Sequence, residues 1–219
     1  MTLAATLFDM DGLLFDTEIL WHRAEVEIFG GLGVALDEAK DRSTKGMFVN
    51  EVVDFWFAQY PWRAPSVEEV VSQLLDRVGE LVESEGRLMP GAMRALDLTS
   101  ERGPIALASS TPRALIHRCL EHFDLATRFA SVHSAEFEPF GKPHPGVFLT
   151  AAASLNVTAK DCLVFEDSAV GVLAAKAGSM TTVAVPTGED RRQPEFALAD
   201  LVLDSLEDLT TDWLDGEFD

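Results

Sequence analysis

Residues 3–18 read LAATLFDMDGLLFDTE. A short, mostly apolar run ends at Phe8, and Asp9 and Asp11 follow at once, spaced by one residue. Such a run is the pattern of a strand buried on both faces. A buried strand that ends in two carboxylates needs a use for them, because unpaired buried charge is costly. Alternate residues of an extended strand point to opposite sides, so the chain must curl after Phe8 for both acids to face one ligand. Gly12 permits that turn.

Working outward, the next segments are helical. Leu20, Ala24 and Ile28 recur at helical spacing and predict a helix over Glu18–Phe29, broken by GGLGV at 30–34. Val49, Val52, Val53, Trp56, Phe57 and Tyr60 form a second stripe, ended by Pro61 and Pro65. Ser66 and Glu69 have capping-box spacing ahead of a third stripe from Val67 to Val82. From residue 88 the texture changes. Apolar runs at 104–109, 128–134, 162–165, 180–185 and 201–203 predict strands. Helices predicted over 113–122, 145–155 and 169–177 fall between them, with Asn156 and Gly178 placed to end two of these. Strands alternating with helices imply a parallel sheet covered on both faces. The expected fold is α/β: a Rossmann-like doubly wound parallel sheet made of residues 1–15 and 87–219, with an inserted all-helical domain over 16–86. The expected hinges are Gly12–Asp16 and Leu88–Gly91.

The bulk numbers narrow the function. The chain has 219 residues, 47% of them hydrophobic, enough for a sizeable core. Its formal net charge is -20, from 17 Lys and Arg against 37 Asp and Glu. That balance argues against nucleic acid and anionic membranes as partners. An anionic substrate then needs positive charge concentrated locally, by a metal or a few basic side chains. Cys119 and Cys162 lie in apolar contexts and read as reduced core residues of a cytoplasmic protein. No signal peptide and no membrane-spanning run is expected.

Ligands of parallel sheets bind beyond the carboxyl ends of the strands. Asp9 and Asp11 follow the first strand. Ser109, Ser110 and Thr111 follow the second, Lys142 in FGKPHP comes after the third, and Glu166, Asp167 and Ser168 follow CLVF. Acids, hydroxyls and a lysine at four strand ends fit phosphoryl transfer. Carboxylates from two strands, Asp9 and Asp167, suit Mg2+, which prefers oxygen ligands. Lys142 and Ser109 would cradle phosphoryl oxygens. One acid would attack phosphorus and its neighbour would move the proton. His133 and His144 have no Cys or His partner at ligand spacing, and His117 and His122 read as helix-surface residues.

DMDG, LASS, GKPHP and FEDS resemble, in order and spacing, the four motifs of the haloacid dehalogenase superfamily, and the helical insert resembles its C1 cap. The closest likeness is to the β-phosphoglucomutase-like sugar phosphatases. The resemblance implies Asp9 as nucleophile and metal ligand, and Asp11 as general acid/base that lends the metal its backbone carbonyl. Asp167 is implied as the side-chain ligand, and Asp9, Asp11, Ser109, Ser110 and Lys142 as the phosphate-binding set. Glu166 is left between binding the metal, holding its waters and capping the next helix. The implied function is a Mg2+-dependent phosphatase of small hexose or hexitol phosphates, working through an aspartyl-phosphate, with monomer as the default state. A phosphomutase is the alternative. In those enzymes the cap supplies a histidine and an arginine, where this chain has Trp21 and the run Met47, Phe48 and Val49. His22 lies one residue from the histidine's register. A non-catalytic binding module would be expected to have lost one of Asp9, Asp11, Lys142 and Asp167, and all are present.

Overall fold

The structure, a computed structural model, describes residues 3–36 and 47–218. Six parallel strands form one sheet in the order β3-β2-β1-β4-β5-β6. They are β1 (Ala5–Phe8), β2 (Ile105–Ser109), β3 (Ser131–Ser134), β4 (Cys162–Glu166), β5 (Thr181–Ala184) and β6 (Leu201–Val202). The order reverses between β1 and β4, so this seam is the topological switch point of a doubly wound sheet. Phe8 stands beside Phe165 across it. Asp9 and Glu166 therefore leave the sheet side by side.

The strands divide large and small residues between the two faces. Phe8, Ile105, Leu107, Leu163 and Phe165 point to one side, and Ala5, Leu7, Ala106, Ala108, Cys162 and Val164 to the other. The smaller-residue face is covered by α6 (Gly146–Ser154) and α7 (Ala169–Ala177), through Val147, Phe148, Ala151 and Ala174. The larger-residue face takes α4 (Ala92–Ser100) and α5 (Arg113–His122). Phe8 and Phe165 stack across the seam at 4.9 Å. Cys119 and Cys162 are buried on opposite faces, and burial pushes their thiols up to about 12 and about 11.

Between β1 and β2 lie α1 (Glu18–Gly31), α2 (Val49–Gln59) and α3 (Val67–Glu85), as the sequence pattern requires. Ser66 caps α3 with the reciprocal Glu69 bond. α1 runs two residues past the expected end, through Gly30 and Gly31, before Val34 closes it onto the Phe29 carbonyl. The insert does not stand apart from the sheet domain. Trp56, Leu74 and Val82 belong to the same buried cluster as Leu107, Ile116 and Leu120. Glu83 of α3 pairs with Arg118 of α5 at 2.5 Å. The two connections are stitched together: Asp16 donates its N–H to the Arg87 carbonyl and Met89 donates to Leu14, each at 2.9 Å. Two short helices went unpredicted, α4 and the terminal α8 (Thr211–Phe218).

Gly91, where the returning chain enters α4, has φ 80°, and a β-carbon there would overlap the Leu206–Glu207 backbone. Gly91→Ala is expected to cost about 2–4 kcal/mol, from left-handed strain plus overpacking. Urea denaturation checks this, and an unchanged midpoint would contradict the packing.

Candidate active site

At the seam, Asp9 is set by its own backbone N–H, which donates to the Phe165 carbonyl at 3.0 Å. The chain then turns tightly, with Leu14 and Phe15 N–H groups both returning to the Met10 carbonyl. Gly12 makes this turn at φ 73°, where an added β-carbon would overlap the Asp167 carboxylate. A glycine here lets the first loop close against the fourth.

Lys142 reaches the seam from the loop between β3 and α6. Its Nζ donates to Asp9 Oδ1 and to Glu166 Oε1, both at 2.6 Å, and to the Ala108 carbonyl at 3.3 Å. It also lies 4.6 Å from the centre of the Phe148 ring. The Lys142 side chain is 3% exposed. Burial works against its charge, but Asp9 and Glu166 outweigh burial and hold the ammonium above its ordinary range. Burial pushes the Asp9 carboxyl up to about 8, with Lys142 opposing and Glu166 and Asp11 adding to the rise.

Glu166 is wholly buried and engaged through both oxygens. Oε1 faces Lys142, and Oε2 accepts the N–H and hydroxyl of Ser168, each at 2.9 Å. Gly171 makes room for it, since a β-carbon there would overlap the Glu166 carboxylate. Ser168 caps α7 by accepting from the Gly171 N–H at 3.1 Å. Glu166 thus positions the lysine and braces the turn into α7.

Asp9, Glu166 and Asp167 offer carboxylate oxygens that lie within 4.8 Å of one another, all from buried residues. Asp9 and Glu166 share one ammonium, Asp167 lies beside them, and the donor set is all hard oxygen. That set suits a divalent cation of the Mg2+ type. The Asp11 carboxylate is turned away from this group. It accepts from Thr17 Oγ1 at 2.6 Å, Trp21 Nε1 at 3.1 Å and Thr111 Oγ1 at 2.5 Å. Thr17 immediately precedes α1 yet makes no side-chain cap to it. Ser109 Oγ accepts the Thr111 N–H at 3.1 Å, and Ser134 donates to the Thr111 carbonyl at 2.7 Å.

One cavity of about 310 Å3 gathers Asp9, Asp11, Ser109, Ser110, Lys142 and Asp167. Trp21 and His22 both line it from α1. Met47, Val49 and Val52 line it from the start of α2. Phe48 packs its ring against Gly141 of the lysine loop. Lys40 and Lys45 lie outside the described residues. Sequence reasoning missed Thr17 and the burial of Glu25. Thr17 could have been suspected as a cap-type residue placed directly after the acidic loop. Three other histidines are engaged elsewhere: His133 with Ser154, His117 with Arg113, and His144 with the Gly146 N–H.

A family model for haloacid dehalogenase-like hydrolases matches residues 3–178. The chain is 42% identical to hexitol phosphatase B of Escherichia coli K12 over 208 residues, covering 94% of each chain. It is 30% identical to the β-phosphoglucomutase of Bacillus subtilis over 226 residues, covering 98% of this chain and 95% of that one. The crystal structure of CbbY from Rhodobacter sphaeroides in complex with phosphate superimposes with a TM-score of 0.87 at 26% identity, covering 95% and 96% of the two chains.

Lys142→Met leaves two buried carboxylates facing each other without their cation. It is expected to cost about 3–5 kcal/mol of stability in the presence of EDTA. A denaturation midpoint equal to that of the parent would show that the ammonium does not carry the seam.

Proposed function

The chain belongs to the haloacid dehalogenase-like hydrolases, and we propose that it is a Mg2+-dependent phosphatase of small sugar or sugar-alcohol monophosphates. The observation that carries this reading is the floor of the cavity. Buried Asp9 and Asp167 line it, Asp9 shares the ammonium of Lys142 with the buried Glu166, and the Ser109 and Ser110 segment lies beside them. Its likeness to a hexitol phosphatase over 94% of the chain supports the substrate class.

In this reading Asp9 and Asp167 hold the cation, together with the Asp11 backbone carbonyl. When bound, Mg2+ neutralises charge on the phosphoryl oxygens. Asp9 has one oxygen fixed by Lys142 and attacks phosphorus with the other. The P–O bond to the sugar breaks, and Asp11 gives its proton to the departing oxygen. Water then attacks the aspartyl-phosphate, Asp11 takes its proton, and inorganic phosphate leaves. Ser109, Ser110 and Lys142 stabilise the transferring group. Residues 16–86 act as a cap over the core of 1–15 and 87–219, and exclude bulk water.

Trp21 links the insert to Asp11. Its indole N–H binds Asp11 Oδ1 at 3.1 Å, so the insert helps to aim the acid. A phosphomutase must grip a second phosphate. Among the described residues, the insert's share of the cavity wall holds Met47, Val49 and Val52 where such a grip would be sought, which favours hydrolysis.

Asp9→Asn is expected to abolish phosphate release from an aryl phosphate while leaving the far-ultraviolet circular dichroism unchanged. Full turnover would remove the covalent step. Mg2+ is expected to raise the melting temperature of the parent, with Asp167→Asn losing most of that shift; equal shifts would displace the metal from this site. Trp21→Phe removes only the N–H, and kcat should fall about tenfold on aryl and sugar phosphates alike. A change confined to the ranking of sugars would instead make Trp21 a contact to the sugar alone.

A further inference from the structure

Asp11 divides its hydrogen bonds unequally between its two carboxylate oxygens. Oδ1 accepts from Thr17 Oγ1 at 2.6 Å and from Trp21 Nε1 at 3.1 Å, both reaching it from the insert. Oδ2 accepts from Thr111 Oγ1 at 2.5 Å, a donor that comes from the sheet domain. A carboxylate oxygen has two acceptor positions. Among the described residues, then, Oδ1 is filled, and Oδ2 keeps one position beside the hydroxyl that orients it. Asp11 is only half-buried and lines the cavity, so water could satisfy it without any of these donors. Three protein donors on such a group fix a direction.

Thr111 is itself held on every side. It is buried, its N–H donates to Ser109 Oγ at 3.1 Å, and its carbonyl accepts from Ser134 Oγ at 2.7 Å. Ser134 ends β3, and its hydroxyl also accepts the Glu136 N–H at 3.2 Å. Pro112 follows Thr111, and a residue before proline is confined to extended backbone. The hydroxyl is therefore delivered to Asp11 from a stiff support. Thr17 and Thr111 both stand at helix entries, Thr17 directly before α1 and Thr111 two residues before α5. Threonine at such places commonly caps the helix. Here neither helix start receives a side-chain cap, and both hydroxyls go to the same carboxylate.

We infer that Thr111 is a positioning residue that aims Asp11, and that Oδ2 is the oxygen through which Asp11 moves its proton. This rests on the phosphatase reading above and names the atom and the partner which that reading leaves open. In the first step Asp9 forms its bond to phosphorus, the P–O bond to the sugar breaks, and the proton on Asp11 Oδ2 passes to the departing oxygen. In the second, water attacks phosphorus and gives its proton to Oδ2, and the bond between phosphorus and Asp9 breaks. Thr111 holds Oδ2 while the other position on that oxygen releases and takes the proton.

The experiment compares Thr111→Val, which keeps the shape and removes the hydroxyl, with Thr111→Ser, which keeps the hydroxyl. The substrates are p-nitrophenyl phosphate and sorbitol 6-phosphate. Thr111→Val is expected to lower kcat about tenfold on both while KM moves less than about twofold, and Thr111→Ser to recover most of the loss. p-Nitrophenolate departs without needing a proton, so with that substrate the Asp9 step survives and hydrolysis of the aspartyl-phosphate slows. Thr111→Val should therefore release p-nitrophenolate in a burst larger than the parent's, ahead of its slow steady state. In an Asp11→Asn background the same substitution should cause no further loss on p-nitrophenyl phosphate. An unchanged kcat, a slow first turnover without a burst, or a second tenfold loss in the Asp11→Asn background overturns the inference. Should Thr111→Val fail to fold, Thr111→Ala, which only removes atoms, decides in its place. A parent that releases phosphate from neither substrate overturns the phosphatase reading itself, and this inference with it.

Discussion

The Lys142 ammonium, held between Asp9 and Glu166, is the interaction on which the arrangement at the strand mouths depends. Two carboxylates issue side by side from β1 and β4 because Phe8 and Phe165 are in register. Left alone they would repel across a buried seam. The ammonium joins them and also reaches the Ala108 carbonyl of β2, so one side chain ties three adjacent strands at their functional ends. The loop that carries it must then cross over the sheet's mouth. That crossing sets Gly141 against Phe48 of the insert and lays the lysine over Phe148 of α6.

A second constraint is steric. The sheet keeps its larger side chains on one face and its smaller ones on the other. α6 and α7, rich in alanine and glycine, approach closely on the small side, and Gly171 comes near enough to brace Glu166. On the large side α5 is covered in turn by α3, so the apolar cluster extends without a break from the sheet into the insert. Burial of that surface, at roughly 25 cal/mol per Å2, holds the insert over the strand ends. The polar link from Trp21 to Asp11 then fixes its alignment over the acid.

Much of this was legible in the chain, and the reasons differ by residue. Asp9, Lys142 and Asp167 stood out because buried strands and the loops after them seldom hold charge without purpose. The long stripes of α2 and α3 announced themselves by period. α4 did not, because its buried residues are Ala92, Ala95, Leu96 and Thr99, two of them alanines and one a threonine whose hydroxyl bonds back to the Ala95 carbonyl. α8 is short and acidic, with Leu214 buried. Glu166 could not be assigned from sequence, since its partners come from Lys142 and from the turn that follows it. Trp21 was read against the histidine of a phosphomutase, but its bond to Asp11 is a tertiary fact that no local pattern encodes. The burial of Glu25 was hidden for the same reason.

The paired connections at 14–16 and 87–89 have an evolutionary reading. A segment that leaves and rejoins its host through two adjacent, hydrogen-bonded strands of backbone spans almost no gap. It behaves as a cassette, and a lineage could exchange it by recombination without redrawing the sheet or moving the strand-end acids. The exchange is limited by α5, whose outer side is keyed to α3 through Arg118, Glu83 and the shared apolar cluster. A transplanted cassette would have to bring a matching third helix or be accompanied by changes along α5. Within this fold, then, co-variation is to be sought between the insert's last helix and α5 rather than at the junctions themselves.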